Sequence, residues 1–107
     1  MQFKPPKNDD KIIWTRHVVS KMRQYGLSET RLRYLLRHYQ RLEKGIAPGT
    51  IAVMRSAETK KHPSEVWLMY QAVEGRIKII TAWRYPGVSS EGEGVPIPED
   101  IVKELTP

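Results

Sequence analysis

The chain of 107 residues contains no cysteine. That excludes a disulfide framework, a thiolate metal site and a cysteine nucleophile. Only three histidines are present. None stands in a His-x-x-x-His or Glu-x-x-His spacing, so neither a structural nor a catalytic metal is expected. Gly87, Gly92 and Gly94 lie among acidic residues, outside any strand–glycine loop–helix context. They do not make a phosphate loop, and no cofactor is implied. No apolar run approaches the ~18 residues of a membrane span. The first ten residues lack the apolar segment of a signal peptide. A chain of this kind, without disulfides, fits the cytoplasm.

What is present is basic charge, unevenly spread. The net charge is +6. Residues 1–10 are balanced, residues 11–55 hold ten Lys or Arg against two Glu, and residues 85–107 hold one Lys against five acids. A basic body with an acidic tail suits a polyanionic or acidic partner, and equally a surface kept solvated by its charge. The length fits one domain with one modest core. The composition divides it into a loose N-terminus (residues 1–10), an α+β domain (11–86) and an acidic, Gly/Pro-rich tail (87–107).

Ile12-Ile13-Trp14-Thr15 reads as a short strand. Val18, Met22 and Tyr25 then fall on one face of a helix that Gly26 stops. Ser28 caps a second helix, and Leu27 before it can pack on Leu32 as a hydrophobic staple. The third helical position holds Arg31 where a capping box would place Glu. Leu32, Leu35, Leu36 and Tyr39 form the buried stripe. Strands follow: alternation at Leu42, Lys44 and Ile46, then Ile51 to Arg55, then Val66–Val73 and Ile77–Arg84 as a hairpin about Glu74-Gly75-Arg76. The tail reads as loosely held, with a helical turn near Glu99–Leu105.

The order β-α-α-β-β-β-β places two N-terminal helices on one face of an antiparallel sheet. Both faces of the last hairpin carry apolar residues, Trp67, Met69, Ile79 and Trp83 among them. The face away from the helices therefore needs the tail, a second copy of the chain or a ligand to cover it. A homodimer through that uncovered face is one expectation.

His17 opening a helix, then Lys21-Met22, then Tyr25-Gly26-Leu27-Ser28-Glu29 and a Leu-rich second helix, resembles small bacterial toxin-like domains. The pattern is similar to that of BrnT-like proteins within the RelE/ParE-like toxin superfamily. The resemblance spans roughly residues 12–85. It implies N-terminal helices on a curved antiparallel sheet. It also implies a metal-independent ribonuclease or a gyrase poison, neutralised by a small antitoxin. Gly45–Thr50 and His62–Trp67 make the central hairpin longer than in the compact toxins.

Two groups of residues are candidates for chemistry. Arg33, Arg37 and Arg41 recur at i, i+4 and i+8, with Tyr34 beside them. On a continuous helix they would form a stripe with about 6 Å per step, able to meet successive phosphates while Tyr34 stacks on a base. Lys60, Lys61 and His62 would extend it from a polar loop. The stripe equally suits an acidic antitoxin-like protein, or a plain solvent face, Arg being a good helix former. The second group is catalytic. Metal-free RNA cleavage needs a base for the 2′-hydroxyl, an acid for the leaving oxygen and cations for the phosphorane. His17 as base, Lys21 and Arg84 as cations and Tyr85 as proton donor would supply these. His17 could equally cap its helix or bond the first strand. RNA binding with metal-free cleavage and a non-catalytic interaction module thus both stand.

Overall fold

Thr15 and Ser28 decide where the two N-terminal helices begin. In the computed structural model, which describes residues 3–57 and 61–105, each accepts a backbone N–H of the first turn through its hydroxyl, from Val18 and Arg31 respectively. This satisfies donors that a helix start leaves orphaned. Helix α1 runs Arg16–Tyr25 and ends on Gly26, whose φ of 67° is the left-handed conformation that glycine adopts without a Cβ penalty. Helix α2 runs Glu29–Arg37. Around them stand β1 (Ile12–Trp14), β2 (Arg41–Lys44), β3 (Thr50–Ser56), β4 (Ser64–Val73) and β5 (Arg76–Pro86), and the described chain finishes with α3 (Glu99–Leu105). The expected α+β architecture and its β-α-α-β-β-β-β order are present.

The five strands form one sheet in the order β1-β5-β4-β3-β2. Strands β2 to β5 meander antiparallel. The turn between β4 and β5 puts both Glu74 (φ 50°) and Gly75 (φ 79°) at positive φ, the pattern of a type I′ hairpin. The sheet departs from the expected all-antiparallel arrangement at one edge, where β1 pairs parallel to β5 through Ile12–Ile77, Ile13–Lys78 and Trp14–Ile79. No short turn joins these two strands, so nothing local dictates their relative direction. A bulge between Met69 and Tyr70 shifts the β4–β5 register by one, leaving Ile80 unmatched.

The sheet buries both faces. On one, Val18, Met22, Leu27, Leu32 and Leu35 of the helical half pack with Val53, Val66, Leu68, Ile79 and Ala82. On the other, Ala52, Met54, Trp67, Met69 and Trp83 are covered by Ile101 of α3, with Val95, Ile97 and Leu105 packed around them. The second face is therefore closed by the chain's own tail. The surface assumed for a homodimer through an uncovered face does not exist, and the tail is seated rather than loose. The seat is polar at its start. Buried Glu65 accepts from Trp67 Nε1 at 3.0 Å and from the Ser89 backbone N–H at 3.1 Å and hydroxyl at 2.5 Å. Arg41 donates to the same Ser89 hydroxyl at 2.8 Å and lies 5.1 Å over the Trp67 ring.

Among the described residues no helix is long and apolar enough to cross a membrane, and no group of three or more His, Cys, Asp or Glu is placed to hold a metal ion.

Candidate nucleic-acid interface

The sequence places His17 and Lys21 one helical turn apart on α1, and Asp100 and Glu104 the same distance apart on α3. The fold brings the two pairs together. Lys21 Nζ lies 3.0 Å from both Asp100 Oδ2 and Glu104 Oε1. His17 Nδ1 lies 3.1 Å from Glu104 Oε2, and its Nε2 lies 2.8 Å from the Thr81 hydroxyl. Gln24 adds a longer hydrogen bond to Asp100. Both ring nitrogens of His17 are thus engaged, and the two residues clasp α3 to α1, with His17 reaching β5 as well.

Tyr85 does not join them. It follows Arg84 on β5, so the two side chains project from opposite faces of the sheet. Tyr85 packs with the tail-covered cluster, while Arg84 reaches the Tyr25 carbonyl on the helical side. His17, Lys21, Arg84 and Tyr85 accordingly do not converge into one catalytic constellation.

The clasp gives folding a pH dependence. Burial, the largest influence, lowers the His17 pKa below its usual 6.5. Glu104 opposes this, Lys21 reinforces it, and Asp100 opposes it again. The unfolded chain then binds the proton more readily, so stability is complete above about pH 6.5 and declines as pH falls below it. Asp100, held below its usual value chiefly by the Lys21 hydrogen bond, loses its contribution only further down, below about pH 4. Thermal unfolding from pH 7 down to about pH 5 should show a falling Tm in the wild type and a flatter profile in His17→Gln. An identical decline in both would remove His17 from this role.

The arginine stripe is also rearranged. Helix α2 stops at Arg37, and Arg41 lies on β2, opposite Met54. Backbone pairing with β3 claims this segment, and the Arg41 side chain turns to Ser89, Glu43 and Trp67. Arg33 is neutralised by Glu29 at 2.8 Å and Asp9 at 3.2 Å, and lies 5.7 Å over Trp14. Asp9 in turn is held below the usual carboxylate pKa, first by the backbone N–H groups of Ile12 and Lys11, then by Arg33. Only Arg37 of the three stays exposed, with no ion pair among the described residues. Lys60 lies outside the described residues.

A different basic cluster takes the stripe's place. Arg55, Val66 and Arg84 stand directly opposite one another on β3, β4 and β5. Val66 belongs to the helical-face core, so the two arginines flank it on that same face. Adjacent strands lie about 4.8 Å apart, which separates the two arginine Cα atoms by about 10 Å. Arg31, from the first turn of α2, completes the group, close enough to Arg84 for repulsion to be felt. Burial first, and then the Arg31 charge, lower the Arg84 pKa. Among the described residues none of Arg31, Arg55 and Arg84 forms a salt bridge; every short ion pair lies elsewhere. Arg84 and Arg55 do donate to the carbonyls of Tyr25 and His38, at the C-terminal ends of α1 and α2. Such contacts suit cations at helix C-termini. Among the described residues Arg31 makes no such contact.

Two depressions open on this cluster. One, of about 180 Å³, is lined by Arg31, Tyr34, Leu35, Arg55, Ser56 and Val66. The other, broader and about 570 Å³, takes in Tyr25, Lys61, His62, Ser64 and Arg84. Of the residues expected from sequence, Tyr34, Lys61, His62 and Arg84 therefore gather at one end of the sheet, while Arg33 and Arg41 are engaged elsewhere. Arg31 and Arg55 were missed. Arg31 carried a signal, because a cation in the first turn of a helix opposes the macrodipole and stands where a capping Glu is favoured. Arg55 carried none.

No protein-family model, curated protein or solved structure matches the chain.

Proposed function

We propose that this protein binds RNA through the end of the sheet where Arg31, Arg55 and Arg84 converge. The observation that carries the reading is that, among the described residues, no carboxylate pairs with any of these three arginines. Arg31 and Arg84 repel, and cations gathered without a described carboxylate between them favour an external anion. Guanidinium groups match phosphate bidentately, and exposed Tyr34 adds an aromatic surface of the kind on which bases stack. Lys61 and His62 extend the basic surface along the second depression. The toxin-like resemblance favours RNA over other polyanions.

The reading is one of binding. Cleavage through His17 draws no support from the geometry, because Glu104 and Thr81 hold both ring nitrogens. The test is a titration of labelled RNA across a salt series. Log K should fall against log salt with a slope of about −2 to −4, at about 0.7 per phosphate neutralised on a single strand. A slope near zero, or no complex at low salt, would sink the proposal. Preference for an acidic peptide over RNA would replace it with an interaction module.

A further inference from the structure

Resting on that reading, we infer that the smaller depression is a seat for one unpaired base, so that the RNA recognised is single-stranded. Its floor is apolar: Leu35 and Val66 are each 2% exposed and belong to the core. Its wall is flat and cationic. The Arg55 guanidinium lies 5.1 Å from the centroid of the Tyr34 ring, and a 2.7 Å hydrogen bond to the His38 carbonyl fixes it there. The His38 ring packs on Tyr34 with centroids 4.5 Å apart and restrains it in turn. Ser56 contributes a hydroxyl. Its backbone N–H is taken by the Gln40 side chain, which ties the end of β3 in place. Arg31 completes the lining with a charge that has no acidic partner among the described residues.

Each part has a counterpart in a nucleotide. The floor accepts the ring, and the Arg55 guanidinium plane, backed by Tyr34, is of the kind that stacks on bases. The hydroxyl can donate to or accept from a base edge. The cations meet the phosphates that a base necessarily brings with it. Size sets the limit. A cavity of about 150 Å³ admits a benzene-sized ring, so the ~180 Å³ here is the size of a single base. A duplex cannot use the seat, because its bases are stacked and paired, and the deep, narrow major groove of A-form RNA is closed to side chains. The cations would still bind its phosphates.

The experiment compares a short labelled RNA with the same strand annealed to its complement, using the wild-type protein, Tyr34→Ala and Tyr34→Phe. Tyr34 is half exposed, so truncation should leave the fold intact, which thermal unfolding checks. The wild type should prefer the single strand by about tenfold or more. Tyr34→Ala should lose about tenfold on the single strand, with its salt slope and its duplex affinity unchanged, since no charge is removed; Tyr34→Phe should restore it. If single strand and duplex bind equally and Tyr34→Ala is neutral, the seat is wrong while RNA binding stands. Should Tyr34→Ala weaken both forms alike, the seat is wrong as well. If the wild type binds neither form, both readings fall.

Discussion

Trp83→Ala is expected to cost about 3–5 kcal/mol of folding stability, the range for deleting a large aromatic from a packed core. Trp83 has no exposed surface. It stands opposite Trp67 in the β4–β5 register, and the two rings stack with centroids 5.9 Å apart and planes 3° apart. Ile101 of the tail belongs to the same cluster. Truncation thus opens a cavity beneath α3 and removes an aromatic pair, itself worth about 0.5–1.5 kcal/mol. One term runs the other way, because the Trp83 Nε1 hydrogen is buried without a partner among the described residues, and its removal relieves part of that penalty. Domains of this class are stable by only about 5–15 kcal/mol in total. The loss should therefore appear as a large fall in the urea midpoint. A smaller m-value in Trp83→Ala would mean that the tail already leaves the sheet in the native state. A cost under about 1 kcal/mol would show that the tail does not cover this face in solution.

Replacing Arg31, Arg55 and Arg84 together by Gln should reduce RNA affinity about a hundredfold or more at moderate salt, and should shallow the salt slope by about 2. The slope is the more telling quantity. Loss of affinity alone could follow from distortion, whereas a shallower slope counts phosphates no longer neutralised. Arg31→Gln is the cleanest component. It breaks no hydrogen bond among the described residues, removes a cation from a helix start and relieves repulsion on Arg84, so the fold should be unharmed or slightly more stable. Arg55 and Arg84 each give up a carbonyl contact, worth about 1 kcal/mol apiece, which the Gln amide can partly replace. An unchanged slope in the triple variant would move the interface elsewhere, Arg37 being the next basic group.

Several features of the fold could be read directly because each depends on neighbours in sequence. Ser28 as a cap, Gly26 as a stop, the turn at Glu74-Gly75 and the helical turn at Glu99–Leu105 are of this kind. The parallel pairing of β1 with β5 is not, since no local turn links those strands. The Arg33-Arg37-Arg41 stripe failed for a related reason: helical spacing was carried past Arg37, into a segment whose backbone pairs with β3. The actual basic cluster draws on α2, β3 and β5, and no spacing rule joins positions so far apart along the chain. The clasp was different. A histidine and a lysine at i, i+4 on one helix and two acids at i, i+4 on another are both visible in the sequence, and their complementarity is the signal that pairs the two helices.

The covering of the Trp67–Trp83 face by the tail also bears on how the chain is made. Domains emerge N-terminal end first, at about 5–20 residues per second. Translating the segment from Gly87 to Leu105 therefore occupies about 1–4 s after β5 has left the peptidyl-transferase centre. Until α3 follows, Trp67 and Trp83 lack the cover that Ile101 gives them. β1, the first strand made, must in the same way wait for the last strand before it finds its partner. A chain made only as far as β5 thus holds an apolar face without its cover, and any chaperone that attends it should engage there and be displaced when Ile101 docks.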